Sequence, residues 1–333
     1  MSIYNIIIFE ACKDYVSLVH YKKQGYLYML FSVIVPVHNK ASTLLDSLSC
    51  LYEQTFTNFE IIVVDDASTD GSLDILLDEE RKGKIRLYQR DKPGPGGYAA
   101  RNYGAQNATS NWLVFFDADD LLVKDHLSKF EAAIAKNSTI ELFVNAFQKM
   151  KGDRLIPQSD TLKSGVFSRK DALAAFARSD FIHMNGACIQ RDRFFALGGF
   201  PAGQYQRAGD VYFWLKALCC LKMIHYDSTV TSLWLLDNSG VVSNKNNITH
   251  IHPCFDLKKE YEIELSWYEK RYFRASINRK ILAWAVEKKK VGRSITKDVN
   301  ALMLSSMQPR QWLTLASLSI PQPYYEQLRE KFL

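Results

Sequence analysis

Cysteine is scarce in this sequence: six residues in 333, too few for a disulfide scaffold. None forms a C-x-x-C pair, which removes the usual zinc-ribbon and redox motifs. Cys219 and Cys220 are adjacent in an apolar run and read as buried free thiols, a usage suited to a reducing cytoplasm. Long apolar stretches are missing too, and none approaches the ~18–20 residues of a membrane span. Ile6-Ile7-Ile8-Phe9 is followed at once by Glu10, Lys13 and Asp14, without the basic start, longer apolar centre and cleavage site of a signal peptide. There is no internal repeat and no low-complexity tract, and His225, His250 and His252 lack a metal-ligand spacing. With 47% hydrophobic and 23% charged residues, disorder and collagen-like repeats are excluded.

What is present begins with Phe31-Ser-Val-Ile-Val-Pro-Val37, short, β-branched and apolar on both faces, as a buried parallel strand should be. Asn39 and Ser42 then offer helix caps, and Leu44, Leu45, Leu48 and Leu51 follow at helical spacing. Glu60-Ile-Ile-Val-Val-Asp-Asp66 reads as a second strand ending in two carboxylates. Ile85–Tyr88 reads as a third, Gly94-Pro-Gly-Gly97 opens a helix over 98–108, and Trp112–Phe116 runs into Asp117-Ala-Asp-Asp120. This alternation predicts a mostly parallel sheet with helices on both faces. In such sheets ligands bind outside the carboxyl ends of the strands, so residues 36–39, Asp65-Asp66 and Asp117–Asp120 converge on one rim. Further on, Phe194–Phe200 reads as a helix ending at a glycine turn, and Asp210–Leu218 as an amphipathic helix with Asp210 in its first turn.

Asp117 and Asp119 alternate in an extended segment and can share a target. Few, hard oxygen ligands suit Mg²⁺ or Mn²⁺ shared with phosphates; the alternative is an N-cap cluster. Asp65-Asp66 can accept hydrogen bonds from a base or ribose, or cap the following turn. Gly94-x-Gly96-x-x-Ala99 has the letters of a dinucleotide fingerprint but follows the third strand of the unit, and Pro95 stiffens it. It reads better as a loop that brings backbone and Arg101 to a nucleotide, with a plain helix start as the alternative. Asp210 sits where a positive helix end favours the anion, ionised and able to act as a base, or as a simple cap.

Together these segments resemble an inverting family-2 glycosyltransferase of the GT-A fold. Phe31–Asn39, Glu60–Ser72, Ala100–Ala105, Phe116–Asp120, Gly198–Phe200 and Gly209–Trp214 occur in the family's order over about residues 31–220. The resemblance implies a mostly parallel nucleotide-binding sheet over residues 29–240, between an N-terminal extension (1–28) and a basic, mostly helical C-terminal region (241–333). It implies that Pro36, Val37 and His38 line the base pocket, that Asp66 bonds the base, and that Gly97 and Arg101 border the nucleotide. Asp117 would face the ribose or donor sugar, Asp119 would hold Mn²⁺ or Mg²⁺, Asp210 would be the catalytic base and Trp214 its helix partner. The donor implied is a nucleotide sugar, by default a UDP-sugar, and the acceptor a saccharide or lipid-linked saccharide of a surface polysaccharide; no nucleic-acid partner is implied. Two features depart from the family: Gly209-Asp210 replaces the usual Glu-Asp, and Leu233–Ser239 lacks the usual histidine.

Two other classes compete. A sugar-nucleotide nucleotidyltransferase needs a glycine-rich loop after the first strand, and His38-Asn39-Lys40-Ala41 has no glycine. A non-catalytic sugar-binding or partner module derived from a transferase fits poorly with retention of both Asp119 and Asp210. The charge is uneven: residues 258–297 hold 12 Lys and Arg against 5 acidic residues. With Trp267, Tyr268, Tyr272 and Trp284 interspersed, this region reads either as core-packing helices or as a peripheral attachment to an anionic inner membrane face.

Overall fold

The computed structural model describes residues 29–157, 162–238, 248, 250–321 and 324; the extension expected over residues 1–28 lies outside them. The first half runs β1 (Phe31–Val37), α1 (Leu44–Tyr52), β2 (Phe59–Asp66), α2 (Ser72–Arg81), β3 (Arg86–Arg90), α3 (Tyr98–Gln106) and β4 (Trp112–Phe115). Alternate side chains of a strand face opposite ways. Val33, Val35 and Val37 accordingly enter a core beneath α1, while Ile34, Ile62 and Val64 enter a second core beneath α3. Both faces of β1 are therefore covered, as its uninterrupted apolar run requires.

The second half runs β5 (Leu121–Leu122), α4 (His126–Lys136), β6 (Leu142–Lys151), β7 (Arg154–Ile156), β8 (Gly165–Ser168), α5 (Arg169–Phe176), β9 (Ala187–Gln190), α6 (Arg191–Ala196), α7 (Gly209–Cys220) and β10 (Met223–Leu235). The sheet order is β3-β2-β1-β4-β9-β6-β10-β5, with β7 on β6 and β8 on β10. From β3 to β4 all pairs are parallel. Beyond β4 the sheet is mixed: β9 is antiparallel to both β4 and β6, and β10 is parallel to β6. The expected α/β class is present, with the parallel part of the sheet confined to β1–β4. The turn from Phe194 to Phe200 ends on Gly198 and Gly199, both at positive φ.

The strand order positions the site. From β1 the chain spreads outward through β2 and β3, then returns to place β4 on the opposite side of β1. The strand order thus reverses between β1 and β4, the general location of ligands in open α/β sheets.

After β10 come α8 (Leu257–Tyr261), α9 (Trp267–Lys290), α10 (Thr296–Asn300) and α11 (Pro309–Leu318). A capping box of Ser266 and Glu269 starts α9, satisfying two orphan N–H groups. Phe273, Ile277, Ile281 and Ala285 of α9 join the core shared with α5 and α7. Much of the basic excess is paired internally. Arg279 and Lys280 both bond Asp180, Arg274 pairs with Glu262, and Lys288 makes a buried pair with Asp298 at 2.8 Å. The aromatics divide: Trp284 packs at a tilt against His252, ring centroids 4.6 Å apart, whereas Trp267 and Tyr268 are exposed. Among the described residues no helix is long and apolar enough to cross a membrane. Cys50, Cys188, Cys219, Cys220 and Cys254 are free, and burial pushes the Cys219 thiol well up.

Candidate active site

The loop after β1 is tied sideways to the loop after β2. Asn39 adopts a left-handed φ of 54°. Its N–H donates to Ser68 Oγ at 3.1 Å, and its Oδ1 accepts the Thr69 N–H at 2.7 Å. Lys40 N–H donates to Ser72 Oγ and Ala41 N–H to Asp70 Oδ2. Asn39 is therefore not a helix cap, and neither is Ser42: the N-cap of α1 is Thr43, whose side chain makes no capping bond. The capping capacity expected there is used to join two loops, which holds the strand ends in register.

Asp66 is 2% exposed. Its Oδ1 accepts from Arg90, and its Oδ2 accepts the Gly94 N–H at 2.9 Å, while its carbonyl accepts from His38 Nδ1 at 2.8 Å. The turn-capping alternative falls to Asp65, whose Oδ2 accepts the Ser68 N–H. Pro36 is half-buried and His38 exposed on the rim, but Val37 is fully buried beneath α1. Its side chain is kept off the rim by strand alternation, so only its backbone remains for the pocket expected there.

From Gly94 the glycine loop leads to Arg101, which is 6% exposed. Its Nη1 donates to the Gly96 carbonyl at 2.7 Å and its Nη2 to Asp117 Oδ1. A Cβ on Gly97 would stand 3.0 Å from Arg101 Nη1 and 3.6 Å from Pro36 Cβ, so Gly97 lies between the base loop and this arginine.

Asp117, Asp119 and Asp120 bring carboxylate oxygens within 4.8 Å of one another, the one such acidic, His or Cys triad among the described residues. They do not form the alternative N-cap cluster, since α4 begins after Asp125. The Asp117 N–H donates to Asn185 Oδ1 at 2.9 Å. Asp120 is buried; its Oδ2 accepts from Asn185 Nδ2 at 2.6 Å and its Oδ1 from the Leu235 N–H at 2.7 Å. Burial, then the charges of Asp117 and Asp119, push Asp120 up to about 8. Burial and Asp117 likewise raise Asp119; Asp117 itself is lowered, because its burial, though the largest single effect, is outweighed by Arg101, His183 and Lys40 together. Crowded hard oxygens whose charged forms repel one another suit Mg²⁺ or Mn²⁺, so the donor set fits the divalent ion the sequence suggested. Lys40 Nζ stands on Asp119 Oδ2 at 2.5 Å.

Asp210 lies in the first turn of α7, whose Gly209 N–H donates to the Tyr98 hydroxyl at 2.8 Å. The helix end was expected to hold Asp210 ionised. Burial raises its pKa, against the lowering effects of the Val211 N–H and Arg101. Hydrogen bonds run from Asp66 through Gly94–Gly97 and Arg101 to Asp117, and Tyr98, on the same helix as Arg101, bonds Gly209 beside Asp210. Trp214 is core, packed edge-on against Phe200.

Sequence reasoning missed Lys40, Asn185 and Tyr98 as parts of this network. The only local signal was the position of Lys40 and Tyr98 beside segments already singled out. Asn185 gave none, because its partners Asp117 and Asp120 are more than sixty residues away.

A parallel sheet that reverses at β1/β4, with a glycine loop and an acidic triad near the reversal, is the arrangement of a GT-A domain. Residues 32–194 match the family described as glycosyl transferase family 2, and the chain carries a domain of that family. It is 35% identical over 135 residues to the poly(ribitol-phosphate) β-N-acetylglucosaminyltransferase TarS of Staphylococcus aureus, covering 39% of this chain and 23% of TarS. It is 37% identical over 102 residues to the amylovoran biosynthesis glycosyltransferase AmsB of Erwinia amylovora, covering 30% of this chain and 34% of AmsB. The chain thus matches well under two thirds of these curated relatives. Among solved structures, S. aureus TarS 1–349 in complex with UDP-GlcNAc superposes with a TM-score of 0.59 at 18% identity, covering 90% of this chain and 92% of that one.

Proposed function

We propose that this chain is a divalent-metal-dependent, inverting glycosyltransferase that moves a sugar from a nucleoside-diphosphate sugar, by default a UDP-sugar, to a saccharide hydroxyl. The acceptor is a saccharide or lipid-linked saccharide in surface polysaccharide synthesis, in keeping with the named roles of TarS and AmsB. The observation that carries this reading is geometric: the acidic triad is joined to Arg101 through Asp117, and Tyr98 of the same helix bonds Gly209 beside Asp210.

In this reading Asp119, flanked by Asp117 and Asp120, would hold the cation, which supplies neutralisation of charge on the departing diphosphate. Arg101 fixes Asp117 toward the ribose or donor sugar, and Pro36, His38 and Asp66 border the base. Asp210, raised by burial toward a useful basicity, takes the proton of the acceptor hydroxyl. That oxygen bonds to the anomeric carbon as the carbon–oxygen bond to the diphosphate breaks on the opposite face. One in-line displacement inverts the centre, as in inverting glycosidases with a sugar hydroxyl in place of water.

The test is nucleotide release from UDP-sugars with Mn²⁺, comparing wild type with Asp119→Ala and Asp210→Asn. Equal release by all three proteins contradicts the assignment. A cytoplasmic location with attachment to the inner membrane face belongs to the same proposal. Because many α9 cations are paired internally, exposed Ile263, Trp267 and Tyr268 are its better support. Flotation with anionic vesicles decides it, and no binding removes it.

A further inference from the structure

The acidic triad already has cations of its own. Arg101 covers Asp117, and Lys40 covers Asp119 through a bond to Oδ2 at 2.5 Å. Arg101 is built in, being 6% exposed and tied to Gly96. Lys40 differs: its side chain keeps 25% of its exposure and it reaches the triad from another strand. The bonds of Asn39, Lys40 and Ala41 to Ser68, Thr69, Ser72 and Asp70 fix its backbone. The flexible four-carbon stem alone is free to move. Nζ also donates to the Asn238 carbonyl at 3.2 Å, and Asn238 Nδ2 approaches the Asp119 carbonyl at 3.4 Å. The ammonium thus sits between the loops that follow β1 and β4, beside Asn238.

We propose that Lys40 is an internal counter-cation that holds Asp119 until a divalent ion takes its place, and that the released ammonium then moves to the diphosphate of the donor. An ammonium and a divalent ion on one carboxylate repel each other by like charge. Metal binding therefore weakens the Lys40–Asp119 pair and favours release of the ammonium beside the dication. A diphosphate supplies a new anionic partner within reach of the stem, so metal and nucleotide each strengthen the binding of the other. That coupling is reciprocal by linkage. The diphosphate half rests on the transferase reading; the exchange between Lys40 and metal does not.

The experiment measures free Mn²⁺ by electron paramagnetic resonance in titrations of the whole chain, with and without UDP. It uses wild type, Lys40→Met and Lys40→Arg, each checked for folding by circular dichroism. Lys40→Met keeps the length of the stem and removes the charge. It is expected to bind Mn²⁺ alone about tenfold more tightly than wild type, and to lose most of the enhancement by UDP. Lys40→Arg keeps a cation on Asp119 and is expected to bind Mn²⁺ no more tightly than wild type, which keeps the test available if the methionine variant does not fold. Unchanged or weaker Mn²⁺ binding by Lys40→Met, or tighter binding by Lys40→Arg, overturns the exchange. Tighter Mn²⁺ binding with the UDP enhancement intact overturns the transfer to diphosphate. If UDP binds none of the proteins while Lys40→Met still binds Mn²⁺ more tightly, the transferase reading fails and the exchange stands.

Discussion

Asn185 holds the acidic triad in shape, and removing its amide should be costly twice over. Its side chain is fully buried, with Oδ1 accepting the Asp117 N–H at 2.9 Å and Nδ2 donating to Asp120 Oδ2 at 2.6 Å. Asn185→Ala leaves the Asp117 amide without a partner, worth about 1–3 kcal/mol, and removes a bond to a carboxyl group, worth about 1.5–3 kcal/mol. The two losses share a site and do not simply add, so about 3–5 kcal/mol is expected. For a chain of this size that is a fall of roughly 4–7 °C in Tm. Displacing the carboxylates by about an ångström should also lower nucleotide release by about 10²-fold. Differential scanning calorimetry and a Mn²⁺-dependent UDP-release assay read both effects. A Tm within 2 °C of wild type and undiminished release would refute the reasoning, because the buried amide would then be holding nothing. Asn185→Asp separates the two bonds: it keeps the acceptor for the Asp117 N–H but sets a carboxylate against Asp120. It should lose more activity than stability if Asp120 takes up a proton to share.

Asp210→Asn should leave UDP affinity within about twofold while lowering turnover by about 10²-fold or more; a parallel loss of affinity measured by calorimetry would place Asp210 in donor binding instead. Gly104→Ala should destabilise, because its Cβ would stand 2.5 Å from Ile34 Cγ2 and 3.2 Å from Val64 Cγ2. Overpacking of about 1–3 kcal/mol on two central strands outweighs the ~1 kcal/mol that alanine gains in a helix, and a raised urea midpoint would contradict this. Glu79 is lowered to about 2 by Lys82 and by hydrogen bonds from Tyr52 and Lys84, against burial. Its folded-state pKa lies below its unfolded one, so its contribution is present above about pH 4.3 and is lost as the pH falls toward 2. Glu79→Gln should therefore be less stable than wild type at pH 7, with the difference closing on acidification; a difference constant from pH 7 to 3 would be the wrong outcome.

Much of this was legible because the informative residues end short apolar strands. The runs before Asp66 and Asp117 announce buried strands, and a carboxylate at such a terminus stands out. Val37 shows where that reading stops: it adjoins Pro36 and His38 in sequence, yet the pleat turns its side chain to the opposite core. Lys40 meets Asp119 across 79 residues and Asn185 meets Asp120 across 65. Those contacts come from the reversal of strand order and from β9 returning antiparallel beside β4, which no local periodicity encodes. The basic C-terminal stretch was visible as composition, but its partners Asp180 and Asp298 lie before it or beyond its end. Its surface character could therefore not be read from its own residues.

The glycine that departs from the family beside Asp210 has a steric origin. A Cβ at Gly209 would lie 2.8 Å from the Tyr98 ring and 3.0 Å from Pro201 Cγ. The aromatic ring thus fills the room that a longer acidic neighbour would need, and positions 98 and 209 form a matched pair in which bulk on one side demands its absence on the other. Changing either alone should be poorly tolerated, while Tyr98→Ala together with Gly209→Glu should recover part of the loss. Divergence in what the enzyme accepts would then proceed by paired exchanges, a pattern open to test by swapping both positions together.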